Sequence, residues 1–407
     1  MRLAPRLDGV SASATLAAAQ LAERLKRQGV DVLDFTVGEP DFPTPDHVKA
    51  AAVDAIAQNF TKYTAASGTP ELKHAICARY RTEYGVEYSP NEVIVTAGGK
   101  QALFNAAFAL FGPGDEVVTH APYWPTIVDQ LRLVGAKPIV VRTRAEEGFQ
   151  VSADAMLGAM TSRTRGIIIN SPGNPTGALM AEEELAKIAD AVAGRDVWIV
   201  VDLCYERLVY EDVPRNLPGV LTARMRDRTV LAGSASKSYA MTGWRCGWLL
   251  APPAVVEACN TIQSHSTSNV SSITQKAVVA ALNGPQTALE TMLSEYRVRR
   301  DTLHGWLTGD GRFRCVKPGG AFYLFPDVTD CLSPDGLRTT TDLATALLEQ
   351  AHVAVTPGEA FDAPGFLRIS YATSMDRLER GAARIREFVE GQSKDRPLSV
   401  SVAPTDR

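Results

Sequence analysis

No apolar run in this chain approaches the roughly 20 residues a helix needs to cross a bilayer, so no membrane span is expected. Charge of one sign is lacking too. Against 42 Lys and Arg stand 46 Asp and Glu, a formal net charge of −4, without the basic excess that draws a protein to nucleic acid or an anionic membrane. Cysteine is sparse: Cys77, Cys204, Cys246, Cys259, Cys315 and Cys331 show no CxxC spacing and read as reduced small core residues, not a disulfide framework or zinc site. The six histidines are equally dispersed and no pair has ligand spacing, so no metal is expected. The opening Met1-Arg-Leu-Ala-Pro-Arg6 has no apolar signal core behind it, which points to a cytoplasmic location. There is no internal repeat and no low-complexity block. What is there is a chain of 407 residues, enough for two or so domains and at least one large core.

Residues 15–28 are alanine-rich, with Leu16, Leu21 and Leu25 at helical intervals and Gly29 as a stop. A strand over 32–37 follows, ending in Gly38-Glu-Pro-Asp. Thr44-Pro45-Asp46 and Thr69-Pro70-Glu71 each read as a helix start, with threonine as N-cap and proline at the first helical position. From 92 to about 250 apolar strands alternate with helices: 93–96, 116–119, 137–141, 166–169, 197–201, then a pair at 229–232 and 246–250. Their continuous hydrophobicity implies burial on both faces, hence a mainly parallel sheet between helix layers. In such sheets the ligand lies outside the carboxyl ends of the strands. There the informative residues gather: Gly98-Gly-Lys100, Tyr123-Trp124, 170–177, Asp202 to Tyr205, and a loop carrying Lys237.

Beyond about 290 the texture changes. A charged helix near 290–308, an aromatic strand at 317–325, two more strands and a closing helix over 375–391 read as a smaller α+β domain. The expected fold is therefore α/β: a three-layer α/β/α large domain over 46–290 with a mostly parallel sheet, plus a small domain from 1–45 and 291–391. A polar tail, 392–407, is expected to be disordered.

The organising stretch is Ser234-Ala-Ser-Lys-Ser-Tyr-Ala-Met-Thr-Gly-Trp-Arg245, held between two core strands. A lysine fixed there suits an amine with a chemical task, such as an imine to a carbonyl cofactor. Ser234, Ser236 and Arg245 beside it suit a phosphate. The other reading of the stretch alone is a polar loop with incidental charges.

Taken in order, Gly38-Glu-Pro-Asp-Phe42, Thr61-Lys-Tyr63, Gly98-Gly-Lys-Gln-Ala-Leu-Phe104, Pro122-Tyr-Trp124, Asn170-Ser-Pro-Gly-Asn-Pro-Thr-Gly177, Ser236-Lys237, Met241-Thr-Gly-Trp-Arg245, Gly320-Ala-Phe-Tyr323 and Arg368-Ile-Ser-Tyr-Ala372 resemble one family. It is the class I aminotransferases, pyridoxal 5'-phosphate enzymes of fold type I, and within them the bacterial aspartate/prephenate branch. The resemblance spans about 16–388.

It implies that Lys237 holds the cofactor aldehyde, is displaced by the amino substrate and then moves the proton. Asp202 would keep the pyridine nitrogen protonated, although an Asp after a strand is also a common helix N-cap. Tyr205 and Asn174 would donate to the ring's phenolate oxygen; Asn-Pro-Thr-Gly is also plain turn chemistry. Gly98, Gly99 and Gln101 would open a helix whose N–H groups face the phosphate, with Ser234, Ser236 and Arg245 on the same anion. Trp124 would stack on the ring, or serve as an ordinary core aromatic. Arg368 would take the substrate α-carboxylate near the Gly38 backbone. Tyr63 would reach the phosphate of a neighbouring subunit, making the active unit a homodimer. Lys100, a cation opposing the dipole of its own helix, would meet the distal carboxylate of a dicarboxylic substrate or else assist the phosphate.

Two departures stand out. Relatives that accept prephenate tend to carry a basic residue where this chain has Ser11, which argues against prephenate. The family's Asp-Glu-x-Tyr is Asp202-Leu203-Cys204-Tyr205 here. The expectation is amino transfer from an L-amino acid, aspartate first, to 2-oxoglutarate. The alternative is a specialised biosynthetic enzyme of the same cofactor acting on a different amino acid by transamination, elimination, deamination or oxidation. A cofactor-sensing regulator would need an attached basic DNA-binding module, and the first 40 residues hold none.

Overall fold

The computed structural model describes residues 4–7, 9–10, 14–210, 215–309, 311–333 and 336–394. Its centre is a seven-stranded sheet in the order Val93–Thr96, Gly247–Leu250, Thr229–Ser234, Trp198–Asp202, Thr164–Asn170, Glu116–Ala121 and Lys137–Arg142. Neighbours run parallel except Gly247–Leu250, which is antiparallel to both strands beside it.

The unbroken apolar runs are explained by what each face meets. Ile167, Ile169, Ile199, Val201 and Leu231 enter one buried cluster, whereas Ile168, Val200, Val230 and Ala232 enter another. Successive residues of a strand point to opposite faces, so burial on both sides requires every position to be apolar. The first face is covered by helices that include Asp46–Ala57, Pro70–Tyr84 and Ser272–Asn283; the second by Gly99–Leu110, Pro125–Leu133 and Pro253–Ser264. This is the three-layer α/β/α arrangement. A third cluster joins Leu33 and Phe35 to Tyr323, Leu367, Ile369 and Ile385, so the two ends of the chain share one core.

Several local expectations change. Thr69 caps its helix, its hydroxyl accepting from the Leu72 N–H at 3.4 Å with Pro70 at N1, a contact worth about 1 kcal/mol. Thr44 caps nothing. The helix Asp46–Ala57 is preceded by Pro45 in the cap position, and the Thr44 hydroxyl instead donates to the Ala240 carbonyl at 2.7 Å. The aromatic strand over 317–325 shortens to Tyr323–Leu324 because Ala321 adopts a left-handed φ of 59°, which breaks the extended run. The strand over 32–37 is likewise only Leu33–Asp34. The closing helix runs Met375–Lys394, past the expected end at 391. Ser11 and residues 395–407 of the polar tail lie outside the described residues.

Candidate active site

The parallel strands deliver their ends to one place. Asn170, Asp202 and Ala232 stand level in register on three adjacent strands. Asp202 is 3% exposed. Its Oδ1 accepts the Cys204 N–H at 3.0 Å, a turn and not a helix cap, since no helix begins there. Burial raises its pKa to about 7, against the pull of the Cys204 N–H; Glu206 adds to the rise and Lys237 opposes it. Behind it, the His120 ring accepts the Asn170 N–H at Nε2, 3.3 Å away, and burial drops His120 to about 4, so the imidazole is neutral.

Lys237 lies on the short helix Ala235–Ser238, capped by Ser234, whose hydroxyl accepts from the Ser236 N–H at 3.0 Å. Its amine donates to the Gly38 carbonyl, and burial lowers its pKa. The segment 38–44 is fastened to the lysine loop at three further points. Thr242 donates to Glu39 at 2.6 Å, the Trp244 indole donates to Thr44 at 3.0 Å, and Thr44 reaches Ala240.

A glycine-lined cradle forms at the head of Gly99–Leu110. Gly98 has φ 83° and ψ 167°, a conformation essentially restricted to glycine. A Cβ there would lie 2.8 Å from Arg245 Nη2, and one on Gly247 would lie 2.6 Å from the Gly99 nitrogen. The N–H groups of Gly99 and Lys100 fall in the first turn, where a helix supplies them no i−4 carbonyl. Arg245 donates only to carbonyls, Thr242 O at 2.9 Å and Ala97 O at 3.2 Å, and pairs with no carboxylate among the described residues. Ser234 and Ser236 share a hydrogen bond of 2.8 Å beside it. Gln101 departs from expectation. The left-handed turn at Gly98 aims that residue's carbonyl at the Gln101 N–H, 3.1 Å away, and the Gln101 side chain is spent on Ala97 N–H and Thr267.

Across the sheet ends, Arg368 is 5% exposed, yet no carboxylate among the described residues neutralises it. Nη1 donates to Asn174 Oδ1 at 3.1 Å, Nη2 donates to Thr36 O at 2.7 Å, and the buried Nε has no partner. The guanidinium lies 4.5 Å from the ring centroid of Tyr323 and 5.0 Å from that of Phe361. Asn174 is thus more than a turn residue. Its backbone N–H is taken by Asn170 Oδ1 at 2.9 Å, which orients the amide. Lys100 sits with its amine 4.8 Å from the Trp124 ring centroid, its pKa lowered by burial and by Arg245. The Tyr205 hydroxyl meets that of Tyr323 at 2.8 Å.

Most residues singled out in the sequence therefore meet at one end of the sheet. Tyr63 does not: its side chain is 92% exposed and makes no hydrogen bond to a described residue. An open cleft of about 770 Å³ borders Arg245, Ala97, Thr267 and Trp244 without reaching Lys237 or Asp202. Sequence reasoning assigned no part to Tyr323, Thr36, Phe361 or His120. Tyr323 was at least visible in the run Gly320-Ala-Phe-Tyr323; a lone histidine in an apolar strand carries no signal.

The donors suit one group. A phosphate matches Arg245 and the glycine cradle, a protonated ring nitrogen matches the buried Asp202, and an aldehyde matches the Lys237 amine. Fold and site together define a pyridoxal phosphate-dependent transferase of fold type I. A family model of aminotransferases of class I and II matches residues 30–385. The aspartate aminotransferase of Bacillus subtilis is 39% identical over 393 residues, covering 97% of this chain and 100% of that protein. The aspartate/prephenate aminotransferase of Cereibacter sphaeroides is 43% identical over 397 residues, covering 96% and 99%. The solved structure of the Thermus thermophilus aspartate aminotransferase with maleate superposes with a TM-score of 0.90 at 40% identity, covering 95% of this chain and 100% of that one. The chain belongs to the class I and II aminotransferases.

Proposed function

We propose that this aminotransferase takes the amino group of a dicarboxylic amino acid, aspartate first, and delivers it to 2-oxoglutarate in two half-reactions. The observation that carries an amino-acid substrate is Arg368, a buried cation whose Nε lacks a partner and which no carboxylate of the described residues neutralises. Such a site is stabilised by an incoming carboxylate, which the planar guanidinium can meet with paired hydrogen bonds. Lys100, which makes no salt bridge among the described residues and lies on Trp124, is the cation offered to the second carboxylate. The relatives named for aspartate, and the one solved with maleate, support this reading.

When bound, the cofactor supplies an electron sink conjugated to the substrate Cα. Gly98, Gly99, Ser234, Ser236 and Arg245 would hold its phosphate, with Gln101 bracing the loop through Ala97. Asp202 would keep its ring nitrogen protonated, Tyr205 and Asn174 would donate to its ring oxygen, and Trp124 would stack on the ring. Lys237 would hold the aldehyde carbon and be the group that moves the proton at the substrate Cα; burial lowers its pKa, which favours the neutral amine that can take up that proton. The Gly38 carbonyl receives the freed amine.

The same reading makes the active unit a homodimer, with Tyr63 completing a partner's phosphate site. Val53 and Ile56 on Asp46–Ala57 are exposed, as Tyr63 is, and the open cleft beside Arg245 leaves room for a second chain. Residues 46–290 form the large domain, and 1–45 with 291–391 the small one. Six free thiols suit a reducing compartment such as the cytoplasm.

One observation favours a second reading, a specialised enzyme acting on another amino acid. Leu203 packs in the apolar core at the place where the family's Asp-Glu-x-Tyr pattern has an acid. A panel of amino acids given singly, with the cofactor's absorbance followed, separates the two. Aspartate alone should convert the cofactor completely and 2-oxoglutarate should restore it. Conversion by a non-dicarboxylic amino acid, with aspartate and glutamate silent, would refute the dicarboxylate assignment.

A further inference from the structure

Tyr323 touches three parts of the site at once. Its hydroxyl meets Tyr205 at 2.8 Å, its ring lies under the Arg368 guanidinium at 4.5 Å, and a Cβ on Gly38 would come within 3.2 Å of its oxygen. It is 1% exposed, and Tyr205 is its only hydrogen-bond partner among the described residues. Either hydroxyl could donate across this contact, and both are buried. Two hydroxyl protons share one contact, so one of them is left for a group outside the pair. With the Tyr205 proton directed to the cofactor's ring oxygen, as proposed above, Tyr323 is the donor of the pair.

We propose that Tyr323 is a positioning residue that couples the carboxylate site at Arg368 to the cofactor-facing Tyr205. By donating to Tyr205, it frees and strengthens that residue's own O–H for the ring oxygen. A cation over its ring makes it the better donor, so a carboxylate neutralising Arg368 is felt at Tyr205. Cys204 is the other titratable group close to this pair. The inference rests on the proposal that Tyr205 serves the cofactor ring.

The test uses holoenzyme and two variants, Tyr323→Phe and Tyr205→Phe, which keep the ring and lose the hydroxyl. The pH midpoint of the bound cofactor's visible absorbance is read with and without succinate, a non-reacting dicarboxylate. A net hydrogen bond corresponds to a shift of about half to one pH unit. Tyr323→Phe should raise the midpoint by that amount and at least halve the shift succinate induces. Succinate affinity should change less than about threefold, since Arg368 keeps Asn174 and Thr36. Removing both hydroxyls should add little to Tyr205→Phe alone. Wild-type midpoints and succinate shifts in Tyr323→Phe, or equal effects of Tyr323→Phe with and without the Tyr205 hydroxyl, would overturn the coupling. If Tyr323→Phe does not fold, a full succinate shift in Tyr205→Phe overturns it as well. Borohydride reduction of wild type keeps the layers apart. A pyridoxyl adduct on Lys237 with unchanged Tyr323→Phe titrations sinks only this inference; no adduct sinks the site assignment beneath it.

Discussion

Asp202→Asn isolates the electrostatic cost of the site. In the free protein the Asp202 carboxylate is buried with one backbone N–H, and its pKa rises from 3.8 to about 7. At 1.36 kcal/mol per unit this is roughly 4 kcal/mol at most. A folded-state pKa raised above the unfolded one means the unfolded chain gives up its proton first. The Asp202 contribution therefore lowers stability progressively as pH rises from about 4 to 7, and is then constant. His120 works in the opposite sense: depressed from 6.5 to about 4, it costs stability as pH falls through the same window. The wild-type profile alone is thus uninformative, but His120 cancels in the difference between wild type and Asp202→Asn. Asparagine keeps the acceptor for the Cys204 N–H and removes the charge. The apoprotein of the variant should melt up to about 5 °C above wild type at pH 8 and level with it near pH 4, measured by thermal unfolding. Its cofactor affinity should fall at the same time, because the ring nitrogen loses its anionic partner. A melting difference that does not change between pH 4 and 8 would refute the claim that this carboxylate is uncompensated until the cofactor arrives.

Arg368→Ala should lower kcat/KM for every amino acid by on the order of 100-fold while leaving the pyridoxyl adduct on Lys237 intact after borohydride. Lys100→Ala should cost about tenfold for aspartate and glutamate and nothing for monocarboxylic amino acids, compared by kcat/KM across both sets. Gly98→Ala places a side chain in a glycine-only conformation against Arg245; cofactor affinity by equilibrium titration should weaken at least about fivefold, following the 1–3 kcal/mol of strain.

The sheet was legible because burial on both faces leaves a plain mark: unbroken apolar runs such as 166–169 and 197–201. The ends of those runs located the site, since a parallel sheet brings them together. The helix start at Thr69 was equally plain, whereas at Thr44 the same three-residue signal misled. There a tertiary partner, the Ala240 carbonyl, claimed the hydroxyl that local chemistry assigned to a cap. The small α+β part was harder to bound, because its strands of two residues carry no periodicity and one ends at a left-handed alanine. Arg368 was readable as a charge in an apolar strand. Its dependence on Thr36, Asn174 and Tyr323 was not, since those contacts join positions far apart in the chain.

The strand Gly247–Leu250 is the sole bridge from Val93–Thr96 to the rest of the sheet. Gly98 and Gly99, which follow that outer strand, stand beside Ser234 across a segment that comes some 150 residues later in the chain. A nascent polypeptide halted at Arg245 would own the lysine, both serines and both glycines, yet lack the strand that joins their two edges of the sheet.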